Sequence, residues 1–152
     1  MRNIDAIVIH QSLTEDGDEL NYGGIVDSHI ERGFDREGYH YIIEKVRDRV
    51  VAIAGRPLHN FGAHCTQNKM NHRSIGICVC GCFDHHAPSK EVYEVLISLC
   101  VDLCISFNIP ANCVYPHSFF ATKKTCPGYL FNITYVKNET ARRIVKEIEH
   151  GS

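Results

Sequence analysis

Residues 5–10, DAIVIH, make a nearly unbroken β-branched apolar run that stops at a histidine and turns polar at Gln11 and Ser12. A run of this kind suits a strand buried on both faces, so it demands a sheet covered on each side. Residues 75–80, IGICVC, repeat the pattern far downstream. Two such strands, well separated in the chain, set the fold class before any other feature is considered.

The intervening segments fill in the architecture. Residues 11–24 are polar and glycine-rich, and read as loop; residues 25–32 read as a short helix stopped by Gly33. Residues 39–45 and 49–54 are strand-like, and the charged KVRD between them predicts a hairpin. Ser89 can cap a long helix through Phe107, with Val92, Leu96, Leu99 and Leu103 at helical spacing. A short strand follows around residues 113–115. Asn138 can cap a last helix to about Glu149, with Ala141, Ile144, Val145 and Ile148 facing inward. Strands alternating with helices predict an α/β fold: a single domain with a central mixed β-sheet flanked by helices. No repeat, linker or composition shift divides the 152 residues.

Charge excludes one class of partner. Sixteen Lys and Arg stand against 18 Asp and Glu, which supplies no electrostatic case for nucleic acid. The longest apolar stretch, residues 95–101, is cut off by Asp102 and cannot span a membrane. The first ten residues lack the apolar core and cleavage site of a secretory leader. The expectation is therefore a cytoplasmic chain in a reducing compartment, its eight cysteines carrying free thiols.

Most of those cysteines read as small buried apolar residues. Cys78, Cys80 and Cys82 resemble a metal knuckle, but in a strand alternate side chains stand about 6.6 Å apart. Two sulfurs on one zinc must lie within about 4 Å of each other. The trio cannot close on a single ion without a bulge.

The histidines are more telling. His10 ends the first buried strand where it opens into a loop, the place where α/β folds put reactive groups. A half-buried histidine bonded to backbone is the plainer account of it. His117 and Cys126 lie nine residues apart in VYPHSFFATKKTCPG, an irregular stretch punctuated by Pro116 and Pro127. Imidazole and thiolate suit Zn²⁺, and with His10 they would make three ligands and leave a fourth position open, the catalytic arrangement. Spacing alone does not bring the three together.

IVIHQS, GFDREGYHYII, GRP at residues 55–57, GAH at residues 62–64, NHRSIGICVCG and PHSFFATKKTCPG together resemble, in order and approximate spacing, the zinc N-acetylmuramoyl-L-alanine amidases. That family includes small phage lysozymes and the peptidoglycan recognition proteins. The resemblance runs from Ile4 to Gly128 and is closest to the phage endolysin branch. It implies an amidase fold over residues 1–152, with one Zn²⁺ held by His10, His117 and Cys126, and with Tyr39 and Lys124 completing the catalytic site. A cysteine as third ligand separates the chain from similar muropeptide-recycling amidases, which use aspartate there. His64 and Asn71 match positions bordering the substrate groove. Taken singly, Tyr39 can be a packing aromatic, Lys124 a solvated charge, and His64 and Asn71 parts of a solvated loop.

The activity implied is hydrolysis of the amide between N-acetylmuramic acid and L-alanine in peptidoglycan. The phenol of Tyr39 and the ammonium of Lys124 would donate to the developing oxyanion. The resemblance also implies release to the wall through a holin-type lesion or another export route, with peptidoglycan as partner and no membrane or nucleic acid. Binding to an RNA polymerase, found in some similar phage lysozymes, enters by analogy only. The competing class is a non-catalytic module binding peptidoglycan or protein on the same fold. Residues 65–73, CTQNKMNHR, replace a shorter glycine-bearing family loop and are expected to reshape the groove. His29, His85, His86 and His150 match nothing and read as surface.

Overall fold

The structure is a computed structural model that describes residues 2–13 and 37–151. The helix expected at 25–32, His29 and most of the loop expected at 11–24 lie outside the described residues. Gln11 itself extends the first strand, β1, which spans Ala6–Gln11. The predicted hairpin is formed by β2 (Tyr41–Val46) and β3 (Arg49–Ala54) in antiparallel register. Arg47 takes φ 55° in its turn. A short helix α1 (Met70–Arg73) leads into β4 (Ser74–Val79), then α2 (Lys90–Phe107), β5 (Val114–Pro116) and α3 (Ile133–His150).

The five strands form one mixed sheet in the order β3-β2-β4-β1-β5. Only the hairpin is antiparallel; β2–β4, β4–β1 and β1–β5 are parallel. β1 and β4 are buried at every position, as their unbroken apolar runs require. Side chains alternate across the sheet. Ile7, Ile9, Ile75 and Ile77 join the main core with Leu96, Ile97, Cys100 and Val136 from α2 and α3. Ala6 and Val8 face the other way, against Cys65 and Met70. Among the described residues, the two long helices thus cover one face, while residues 62–73 cover part of the other.

Ser89 caps α2 as expected, its hydroxyl accepting from the Val92 amide at 3.2 Å. The start of α3 is a correction. The cap is Asn132, whose side-chain oxygen accepts from the Tyr135 amide at 2.9 Å, so Asn138 lies inside the helix. Both asparagines satisfy the local rule, and packing chooses between them: Val136 is fully buried and Ile133 packs on the core. The inward face shifts with it. Val136 and Thr140 are buried, whereas Ala141, Val145 and Ile148 are exposed and Ile144 is partly covered.

Candidate active site

Parallel pairing of β1 with β5 is what assembles the site. The register places Ile7 opposite Val114 and Ile9 opposite Pro116, so the chain leaves β5 at His117 directly beside His10. The two imidazoles stand 4.4 Å apart between ring centroids. His117 opens a single 3₁₀ turn (His117–Phe119), and the loop then folds back, the Ser118 amide donating to the Cys126 carbonyl at 2.8 Å. One ligand atom each from His10, His117 and Cys126 falls within 4.8 Å of the others. Among the described residues, this is the group of side chains that could hold a metal ion.

The loop carrying Cys126 is tied to the end of β1. Asp84 accepts from Thr125 Oγ1 at 3.2 Å and from the Tyr129 amide at 3.0 Å. Its Oδ2 also accepts from Gln11 Nε2 at 3.3 Å, while Gln11 Oε1 accepts from the Phe83 amide at 2.7 Å. Gln11 and Asp84 were not legible as site residues. Their carboxylate and amide matter only because two distant loops meet there.

Burial, helped by the Lys124 ammonium, holds the His117 imidazole down at about 4, so it is neutral near pH 7. Burial pushes the Cys126 thiol up to about 11, against the pull of the Gln11 amide bond and the Lys124 charge. A neutral His117 imidazole and a Cys126 sulfur near the Lys124 charge are donor types that suit zinc.

These residues line an open cleft of about 420 Å³ together with Tyr39, His64, Asn71 and Lys124. The Tyr39 ring lies 5.1 Å from that of His10. Lys124 is exposed at the cleft and its amide is fixed to the Ala121 carbonyl at 2.9 Å. Thr66 and Gln67 also line the cleft. They belong to residues 65–73, where a 3₁₀ turn (Gln67–Lys69) runs into α1. Asn71 Oδ1 accepts from the amides of His64 at 2.7 Å and Cys65 at 2.8 Å, so it shapes the loop that presents His64. His85 and His150 are exposed, and His86 packs its ring on Phe83.

The family description N-acetylmuramoyl-L-alanine amidase matches residues 1–129. The chain belongs to that family. It is 31% identical over 140 residues to the endolysin of Escherichia phage T7, covering 89% of this chain and 87% of that protein. The endolysin of Enterobacteria phage T3 matches with the same identity and coverage. Among solved structures, the N-acetylmuramoyl-L-alanine amidase LysC from Clostridium intestinale URNW superposes with a TM-score of 0.79 at 26% identity, over 91% of this chain and 85% of that one. Drosophila peptidoglycan recognition protein SD shares the fold, with a TM-score of 0.73 at 18% identity, over 89% and 80% of the two chains. This amidase is thus an enzyme of the phage-endolysin-like kind. No described helix is long and apolar enough to cross a membrane.

Proposed function

We propose that this amidase hydrolyses the bond between N-acetylmuramic acid and the first L-alanine of the peptidoglycan stem, using one Zn²⁺ held by His10, His117 and Cys126. The observation carrying the reading is the meeting of these three donors, within 4.8 Å, in a cleft open to solvent. A tetrahedral zinc site sets its nitrogen and sulfur ligands roughly 3.3–3.7 Å apart, so little closure is needed. Mixed imidazole and thiol donors fit zinc, and three protein donors match catalytic rather than structural sites. When bound, the ion supplies Lewis acidity, lowering the pKa of water to about 7 and polarising a carbonyl.

The protein's own groups do the rest. Lys124 places a positive charge at the cleft, and Tyr39 a phenol beside His10. Both would donate to the oxygen of the scissile carbonyl as negative charge develops there. Asn71 and the loop it holds border the groove for sugar and stem peptide. Residues 1–152 act as one catalytic domain, and the enzyme reaches the wall from the cytoplasm through a holin-type lesion or another export route. Retention of every one of the five side chains argues for hydrolysis over a purely binding role.

Purified protein is assayed for metal content and for release of stem peptides from peptidoglycan, before and after chelation. About one zinc per chain is expected, with release lost on chelation and restored by added zinc. Stem-peptide release that is indifferent to chelation, or a metal-free chain, overturns the reading. Substituting Cys126→Ser should abolish both zinc and release.

A further inference from the structure

His10 does not stand alone behind the cleft. Its Nε2 lies 2.9 Å from His64 Nδ1, and His64 Nε2 lies 3.4 Å from Ser74 Oγ. Ser74 Oγ in turn lies 2.7 Å from the Met70 carbonyl oxygen. A carbonyl oxygen can only accept, so the serine proton points at Met70 and the serine oxygen is left to accept from His64 Nε2–H. His64 is then the tautomer with a lone pair on Nδ1, and His10 Nε2–H donates to it. The direction of the whole chain is set from its far end. It leaves the lone pair of His10 on Nδ1.

The fold makes room for this ring. A Cβ on Gly76, in the middle of β4, would come within 2.4 Å of His64 Cδ2, and one on Gly62 within 2.5 Å of the same atom. The imidazole occupies a slot between two glycine backbones, and Asn71 Oδ1 holds the amide of His64 itself. A side chain serving only to touch substrate needs no such slot on its inner side.

We infer that His64 is a positioning residue: it fixes the tautomer and ring orientation of His10, so that Nδ1 is the atom presented to the metal. The inference rests on the metal reading above and differs from the expectation that His64 is a groove-lining substrate contact. Partners of this kind orient ligating histidines and typically account for about 10- to 100-fold in metal affinity.

The test compares two substitutions of equal size. In His64→Asn the side-chain oxygen falls at the place of Nδ1 and can accept from His10; in His64→Leu a methyl takes that place. Zinc affinity is measured by competition with a chromophoric chelator, and ligand geometry by the visible absorption of the Co²⁺-loaded protein. Wild type and His64→Asn should bind zinc alike, with closely similar Co²⁺ bands. His64→Leu should bind about 10- to 100-fold more weakly, with a shifted band. Equal zinc affinity and identical Co²⁺ bands in the two variants, with a raised KM in both, would make His64 a substrate contact and overturn the inference alone. A wild-type chain that takes up no zinc would overturn the metal reading and this inference with it. Should His64→Leu fail to fold, Gly76→Ala, which crowds the ring from below, carries the same expectation, and unchanged zinc binding there is equally fatal.

Discussion

The backbone amide of Gln11 donates to the sulfur of Cys126 at 3.3 Å, across 115 positions of sequence. One residue past His10, the same strand that supplies the first proposed ligand therefore also steadies the third. An N–H aimed at sulfur favours the thiolate and opposes the burial that pushes the thiol up. Strand β1 is the scaffold on which the rest of the site is hung.

Asp84 extends that scaffold to the loop, since one carboxylate binds Gln11, Thr125 and the Tyr129 amide. Asp84→Ala should leave the fold intact but let the Cys126 loop wander. Zinc affinity and amidase activity are expected to fall together by roughly 10- to 100-fold. Chelator competition beside a peptidoglycan-release assay checks it, and a loss of activity at full zinc occupancy would contradict it.

Tyr39 and Lys124 should behave differently. Neither belongs to the converging donor group, so Tyr39→Phe and Lys124→Met are expected to retain zinc. Each should lower kcat by about 100- to 1000-fold, the usual effect of removing one oxyanion donor. Steady-state kinetics on muropeptide substrate with parallel metal analysis separates this from a loss of the ion.

His40 makes stability depend on pH. Its Nδ1 accepts from the Gly76 amide at 3.0 Å and its Nε2 lies 3.0 Å from the Asn60 carbonyl, with the Arg2 guanidinium also 3.0 Å away. Burial first, then the charges of Arg2 and Arg56, bring its pKa from 6.5 down to about 4, against the bond to Asn60. The unfolded chain therefore takes up the proton first. The contribution of neutral His40 is fully present above pH 6.5 and shrinks as pH falls toward 4, by up to about 3 kcal/mol. Urea unfolding at pH 7 and pH 4.5 should show a steeper loss in wild type than in His40→Gln.

The start of α3 can be tested by alanine at its two asparagines. Asn132→Ala removes the cap on the Tyr135 amide and should cost about 1 kcal/mol of unfolding free energy. Asn138→Ala replaces an exposed mid-helix residue with a better helix former and should be neutral or stabilising by a few tenths of a kcal/mol, in the manner of ~0.5 kcal/mol propensity differences. Equal losses at both would mean the helix begins elsewhere.

Much of this protein was legible before any coordinates. DAIVIH and IGICVC are strands because unbroken β-branched runs leave no polar face for a helix or an exposed sheet, and Ser89 announced α2 through a local bond. Where the outcome is decided within one or two turns of chain, composition and spacing suffice. At α3 they did not, because Asn132 and Asn138 offer the same cap and the core under Val136 chose between them.

The residue types of the candidate site were likewise readable at His10, His117 and Cys126, but their meeting was not. It depends on β1 pairing with β5 in one register, and a contact across more than a hundred residues leaves no periodic trace in the chain. Ser74, Gln11 and Asp84 are ordinary polar residues in sequence, and His64 read there only as a groove-bordering residue. Only tertiary structure gives them direction, because a hydrogen bond is specified by where two groups end up and not by what either one is.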